Sequence, residues 1–151
     1  MQYDAIVPIT PGTYEKCNNI WDMARTKNTG KWLEEIKSGN RLPYACVLQE
    51  QFIGEISLVL DTGDPDYTIP GVRAYVSRLV VKKEYRNRGI GGILIDFICQ
   101  KAKEMGFSEV SIGVDKDNEA ALHLYRKKGF DEILFDGADE QGPYFKLLKR
   151  L

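Results

Sequence analysis

Cysteine is scarce in this chain of 151 residues: Cys17, Cys46 and Cys99 stand far apart, with no CxxC pair and no histidine at ligand spacing. That pattern argues against a disulfide framework or a structural metal, so reduced and buried thiols are expected. A dominant charge is missing too. Twenty-one Lys and Arg against 22 Asp and Glu leave a net charge of −1, which gives no whole-chain attraction to nucleic acid or to a membrane surface. No apolar run approaches the roughly 20 residues that span a bilayer. The opening MQYDAIVPIT lacks the cationic region and long apolar stretch of a secretory leader. A cytoplasmic protein with neither nucleic-acid nor membrane partner is therefore expected. Repeats, low-complexity tracts and linkers are also absent. What remains is ordinary globular composition, 43% hydrophobic and 28% charged, in a chain long enough to bury its own core as one domain.

Hydropathy patterning divides the chain into elements. Residues 3–8 read as a first strand. Apolar side chains at Tyr14, Cys17, Ile20, Trp21 and Ala24 predict a helix over 14–25, and Trp32, Leu33 and Ile36 a second over 31–37, closed by Ser38-Gly39-Asn40. Apolar runs at 44–48 and 52–60, parted by Gln49-Glu50-Gln51, predict a hairpin. A long loop rich in Asp, Gly and Pro occupies 61–71, followed by a strand over 72–81. Next come an amphipathic helix from Ile90 to Met105 with Gly106 as its stop, and a short strand over 109–114. A helix over 118–128, capped by Asp117 or Asn118 and ended by Gly129, precedes two strands, 130–135 and 144–148, around a turn at 136–142. The hairpin-rich first half excludes a pure doubly wound sheet, so a mixed α/β (α+β) fold in a single domain over 1–151 is expected.

The most informative stretch is Arg86-Asn87-Arg88-Gly89-Ile90-Gly91-Gly92, placed between a strand and an amphipathic helix. Glycine lets backbone approach an anion, and the first helical turn carries N–H groups without intrahelical partners at the positive end of the helix dipole. Lys82, Lys83, Arg86 and Arg88 add positive charge around this cradle. A Walker A loop is excluded, because Gly91-Gly92-Ile93 lacks the terminal lysine and hydroxyl. The dinucleotide fingerprint GxGxxG fails at Leu94, where its third glycine belongs.

The remaining pattern, Arg86-x-x-Gly89-x-Gly91, resembles the acyl-CoA loop of the GNAT superfamily of N-acyltransferases. A second stretch, Asn118-Glu119-Ala120-Ala121-Leu122-His123-Leu124-Tyr125-Arg126-Lys127-Lys128-Gly129-Phe130, resembles that family's second signature and lies one short strand downstream. The resemblance is specific over 72–130 and looser elsewhere. It implies a mostly antiparallel sheet of about seven strands, flanked by about four helices and splayed between strands four and five. Residues 72–130 would form the acyl-CoA-binding core, and 1–70 the region that selects the acceptor. The implied activity is transfer of acetyl from acetyl-CoA directly to a primary amine of a small molecule or peptide, with no metal. A homodimer enters by analogy alone.

The resemblance assigns the coenzyme's pyrophosphate to Arg86, Asn87, Arg88, Gly89, Ile90, Gly91 and Gly92, and the pantetheine arm to the backbone edge of Leu79, Val80 and Val81. Asn118 would contact the pantetheine as well as capping its helix, and Tyr125 would protonate the departing thiolate. His123, two positions from Tyr125, faces another side of the helix and is no catalyst. The general base is less clearly marked. An alkyl amine is only about 1 part in 2,500 neutral at pH 7, so some group must accept its proton. Relatives carry a glutamate on the fourth or fifth strand, where this chain has Gly113, Ser77 and Arg78. Glu55 on the third strand is the candidate that remains, with Asp115 and a water chain behind it. Trp21, Trp32 and Tyr67 with the acidic loop Asp61, Asp64 and Asp66 could attract and cover a cationic amine, or the tryptophans could be core and the loop simply solvated. The lack of an acid at 113 keeps a competing class open, a non-catalytic acyl-CoA-binding regulatory or interaction module.

Overall fold

The computed structural model describes residues 2–151. Seven strands, β1 (Ala5–Pro8), β2 (Arg41–Leu48), β3 (Gln51–Val59), β4 (Arg73–Val81), β5 (Glu109–Asp115), β6 (Glu132–Asp139) and β7 (Gly142–Arg150), form one mixed sheet in the order β1-β2-β3-β4-β5-β7-β6. Its α-helices are α1 (Thr29–Ser38), α2 (Ile90–Glu104) and α3 (Glu119–Lys127), joined by the 3-10 segments Tyr14–Asn19, Met23–Arg25 and Lys83–Tyr85. The pair β4–β5 is parallel, whereas β1–β2, β5–β7 and β6–β7 are antiparallel. No helix among the described residues is long and apolar enough to cross a membrane.

The chain divides into two compact units. One comprises the chain up to Leu58 with Arg78–Ile95, and the other Val59–Ser77 with Asp96–Leu151. The first unit has a core of Ile9, Tyr14, Cys17, Ile20, Ala45 and Phe52. Here the structure corrects the helix expected over 14–25. The chain instead forms two 3-10 segments, Tyr14–Asn19 and Met23–Arg25, with Asp22 capping the second by accepting from the Ala24 N–H at 3.1 Å. The helical spacing of apolar residues was real, because Tyr14, Cys17 and Ile20 are all buried. Yet Asp22 sits where a continuous helix would pass, and its side chain serves the backbone better as a cap. The β2–β3 hairpin turns on two residues, Gln49 and Glu50, both at positive φ (50° and 67°), tighter than the expected triplet.

In the second unit β4 pairs with β5 over Arg73–Val76 only, in register with Glu109–Ile112. Two residues further along β4, Arg78 stands at φ 60°, a left-handed kink that an L side chain adopts at a cost and that bends a strand. The last hairpin departs from expectation as well. Residues 136–142 are rich in Asp and Gly and predict a turn, but β6 runs on to Asp139, with Asp139 opposite Gly142. Gly137 sits within that strand because the Phe135 ring covers it: a Cβ there would come within 2.7 Å of Phe135 Cε2.

Candidate functional site

The glycine loop joins β4 to α2. Lys82 N–H closes β4 onto the Ile53 carbonyl (2.8 Å), and a short 3-10 turn, Lys83–Tyr85, leads into the loop. Asn87 and Gly89 both have positive φ, 62° and 88°, which tips successive peptide N–H groups the same way. The first i→i−4 bond of α2 is Ile93 N–H to Gly89 O, 3.1 Å. The N–H groups of Ile90, Gly91 and Gly92 therefore precede the helical ladder and need a partner from outside it. A Cβ on Gly89 would meet nothing within 4 Å, so the loop's outer face is open. The Arg86 Nε donates to the Val81 carbonyl at 2.9 Å, fastening the loop to the strand end, and Arg88 lies over the Tyr85 ring. Both arginines are exposed. Leu79, Val80 and Val81 are half-buried, with Val80 packed on the first unit's core.

In the second unit the Asn118 side chain caps α3, accepting from the Ala121 N–H at 3.2 Å. Asparagine rather than Asp117 is the cap. Tyr125, on the inner face of α3, packs edge-on against Phe130 (6.1 Å between centroids) and is 7% exposed. Burial, with a smaller contribution from Tyr75, raises its hydroxyl to a pKa of about 12. Asn118 and Tyr125 line a cavity of about 480 Å³ together with Tyr67, Tyr75, Gly113, Asp115, Asp139 and Tyr144. His123 is exposed.

Glu55 belongs to β3 in the first unit. It is 4% exposed in the first unit, accepts the indole N–H of Trp21, and faces Arg78 Nη2 at 3.7 Å. Burial raises its pKa, while Arg78, the Trp21 hydrogen bond and Arg41 pull the other way. The space beside it, lined also by Tyr14, Trp32 and Arg41, amounts to about 10 Å³, barely the room of one water.

The aromatic and acidic residues that could cover an amine are occupied by the protein's own cations. The Arg78 guanidinium stacks on Trp21 and Trp32, at 4.7 and 4.3 Å from the ring centroids. Lys146, 8% exposed, donates to Asp64 (2.9 Å) and Asp66 (3.1 Å) and sits 5.0 Å from the centre of the Tyr67 ring. Within the loop over 61–71, Asp64 and Asp66 are thus paired with Lys146, while residues 61–63 are exposed. The Lys146 hydrogen bond holds the Asp64 carboxyl below its ordinary value. Burial works against the charge on Lys146, but the two aspartates outweigh it and leave its pKa raised.

The cavity lining was only partly legible in the sequence. Tyr75, Tyr144, Asp139 and Gln141 carry no motif, and Tyr67 belongs in sequence only to a loop that could cover an amine. One signal is present: Gly113 stands inside the short strand EVSIGVD, and a glycine within a strand marks a close approach. That approach is by Tyr67, whose hydroxyl oxygen would lie 2.6 Å from a Cβ on Gly113.

Known proteins resemble this chain in sequence and in fold. The pattern of the acetyltransferase (GNAT) family matches residues 6–130. An uncharacterised N-acetyltransferase of Lactobacillus delbrueckii subsp. lactis is 28% identical over 146 residues, covering 92% of this chain and 84% of the relative. Among solved structures, a GNAT family acetyltransferase from Elizabethkingia anophelis with acetyl-CoA bound superposes with a TM-score of 0.76 at 20% identity, covering 97% of each chain. The ribosomal-protein-S18-alanine N-acetyltransferase from Escherichia coli gives 0.78 at 13% identity, covering 97% of this chain and 92% of that one, a likeness of fold. The match over most of the chain decides the assignment: the chain belongs to the acetyltransferase (GNAT) family and is an acyl-CoA-dependent acetyltransferase.

Proposed function

We infer that this enzyme moves an acetyl group from acetyl-CoA directly to a primary amine of a small molecule or peptide, working as one N-acetyltransferase domain over 1–151. The observation that carries this reading is the Tyr125 hydroxyl, buried yet lining a cavity with Asn118. With a pKa of about 12 it stays protonated at every working pH, as a donor to a leaving thiolate must. It is a weaker acid than a thiol of pKa about 8.5, so it stabilises the departing sulfur by hydrogen bonding and completes proton delivery only with help from solvent.

The residues of the glycine loop fit the coenzyme's pyrophosphate. The free N–H groups of Ile90, Gly91 and Gly92, with Arg86, Asn87, Arg88 and Gly89 around them, supply donors and positive charge. Leu79, Val80 and Val81 offer their backbone to the pantetheine amides, and Asn118 adds its side-chain amide. Residues 72–130 form the coenzyme core, and 1–70 contribute to acceptor choice. No cysteine serves as an acyl carrier in this scheme: Cys17, Cys46 and Cys99 are buried. Glu55 is the candidate base of β3, supported by a carboxyl that burial has made more basic. Glu55→Gln tests it, since an unchanged pH–rate profile would remove Glu55 from proton transfer and leave it as the partner of Arg78.

The test of the whole reading is thiol release from acetyl-CoA with a panel of primary amines, beside calorimetry of coenzyme binding. Amine-dependent release is expected. Coenzyme binding with no amine-dependent release would support the binding-module alternative, and no binding at millimolar acetyl-CoA would refute the coenzyme site.

A further inference from the structure

The geometry points to Tyr67 as the group that receives the acceptor amine, its hydroxyl standing where this chain has no side chain on β5. This rests on the reading above that a primary amine is the acceptor. Position 113, which faces the cavity shared by Tyr125 and Asn118, is glycine, and the space a side chain would take is filled by the Tyr67 hydroxyl, 2.6 Å from the Cβ that any other residue would bring. The two positions are 46 apart in sequence and exclude one another in space.

The hydroxyl is held there by an unusually well-fastened loop. Ser111 Oγ donates to the Tyr67 carbonyl at 2.6 Å, and Tyr67 N–H donates to the Asp64 carbonyl at 2.9 Å. Arg73 Nη1 donates to the carbonyls of Pro65 (3.1 Å) and Asp66 (2.9 Å). Lys146 clamps the Asp64 and Asp66 side chains from β7. The Tyr67 ring rests on Tyr75, with centroids 4.4 Å apart. Every one of these contacts fixes the ring or the backbone, and none uses the hydroxyl: among the described residues no group hydrogen-bonds it. A tyrosine oriented this firmly, with its polar atom left for the cavity, is arranged to meet a ligand.

The chemistry balances without a further reagent. The ammonium loses its first proton to solvent water in the open cavity, and the neutral amine then donates one N–H to Tyr67 Oη, which aims its lone pair at the thioester carbonyl. Attack forms the C–N bond. As the C–S bond breaks, the surplus proton on nitrogen passes to Oη while the proton of Oη leaves to water in the open cavity, and the thiolate takes its hydrogen bond from Tyr125. Burial, Tyr75 and Tyr144 raise the Tyr67 pKa, so it acts as a neutral relay and never as a phenolate base.

Two variants and one spectroscopic probe test this. Tyr67→Phe keeps the ring and its stacking, and is expected to lower kcat with the best amine of the panel roughly 100-fold, with the acetyl-CoA dissociation constant unchanged. Gly113→Ala must push the hydroxyl out from 2.6 Å to at least 3.4 Å and is expected to cost as much. The Tyr67→Phe/Gly113→Ala double variant should lose no more than either alone, because both remove the same group. Additive losses, or a Tyr67→Phe enzyme with wild-type kcat, would overturn the assignment. The probe needs no turnover: in protein labelled with ζ-13C tyrosine and saturated with coenzyme A, n-butylamine should shift the signal that disappears in Tyr67→Phe. A shift in a protein that acetylates no amine would keep Tyr67 as an amine site while refuting acetyl transfer; an unmoved signal refutes Tyr67.

Discussion

The seating of α2 on β3 gives the sharpest test of how the fold holds the loop proposed to bind the coenzyme. Gly54, in β3, has little room for a side chain: a Cβ there would lie 3.3 Å from Leu94 Cδ1 and 3.4 Å from both Ile90 Cγ2 and the Val80 carbonyl. Leu94 and Ile90 are fully buried in the first turns of α2, and Ile90 directly follows the loop glycine Gly89. Carbon pairs prefer about 3.5–4.0 Å, so one methyl at Gly54 is accommodated by shifts of a few tenths of an ångström. Valine puts two further methyl groups into the same space. Overpacking of that kind costs about 1–3 kcal/mol. For a domain of this size that is a fall in Tm of roughly 2–4 °C per kcal/mol. The functional cost is separate. If the helix start lifts, the N–H groups of Ile90, Gly91 and Gly92 move with it, and losing one hydrogen bond to a charged phosphate oxygen costs about 1.5–3 kcal/mol, or ten- to a hundredfold in affinity. Gly54→Val should therefore show both a lower Tm by calorimetry and an acetyl-CoA dissociation constant raised at least tenfold. Gly30→Ala is the contrasting control, because its Cβ meets nothing within 4 Å and lies in α1. It should gain up to about 1 kcal/mol and leave coenzyme affinity unchanged. A Gly54→Val protein with native Tm and native affinity would refute the idea that β3 positions the loop through this contact.

Tyr125→Phe should lower kcat about 100-fold or more while changing coenzyme affinity little, measured by thiol release and calorimetry. Because burial raises the Tyr125 pKa from 10.0 to about 12, the protonated hydroxyl contributes stability below pH 10 that is lost between pH 10 and 12, and Tyr125→Phe should flatten that part of the alkaline unfolding curve. Lys146→Met keeps the buried stem but leaves Asp64 and Asp66 facing each other without a cation. Those carboxylates are partly solvated, so the expected loss is about 1–3 kcal/mol at pH 7, below the range for a fully buried pair. The Lys146 hydrogen bond depresses the Asp64 pKa, so this stabilisation is present above the ordinary carboxyl value of 3.8 and vanishes as pH falls through the lowered one; wild type and variant should converge in strong acid, and a constant gap would refute the ion-pair account. Burial raises Cys17 to a pKa of about 12 and Cys46 and Cys99 to about 11, so a disulfide reagent at pH 8 should label the native protein slowly and at the rate of global opening. Fast labelling of even one thiol would contradict its burial.

Local chemistry was enough for the parts of this protein that lie within one turn and its flanking elements. The glycine-rich turn at 86–92, the Asn118 cap, the stops at Gly106 and Gly129 and most strand centres follow from glycine conformation, capping and apolar period, each of which acts over a few residues. Where Asp and Gly crowded a strand, as in 136–139, the turn signal was outweighed by pairing with β7 and by the Phe135 ring over Gly137, neither visible locally. The fate of the charged and aromatic residues was decided only by the tertiary structure. Trp21 and Trp32 close on Arg78, and Asp64 and Asp66 on Lys146, because a buried cation must find partners, and those partners are brought together from distant positions. The same holds for the missing acid of β5: Gly113 reads as an absence in the sequence, and only folding shows the Tyr67 hydroxyl in its place, since two groups 46 residues apart share that space solely through the packing of a pinned loop against the sheet.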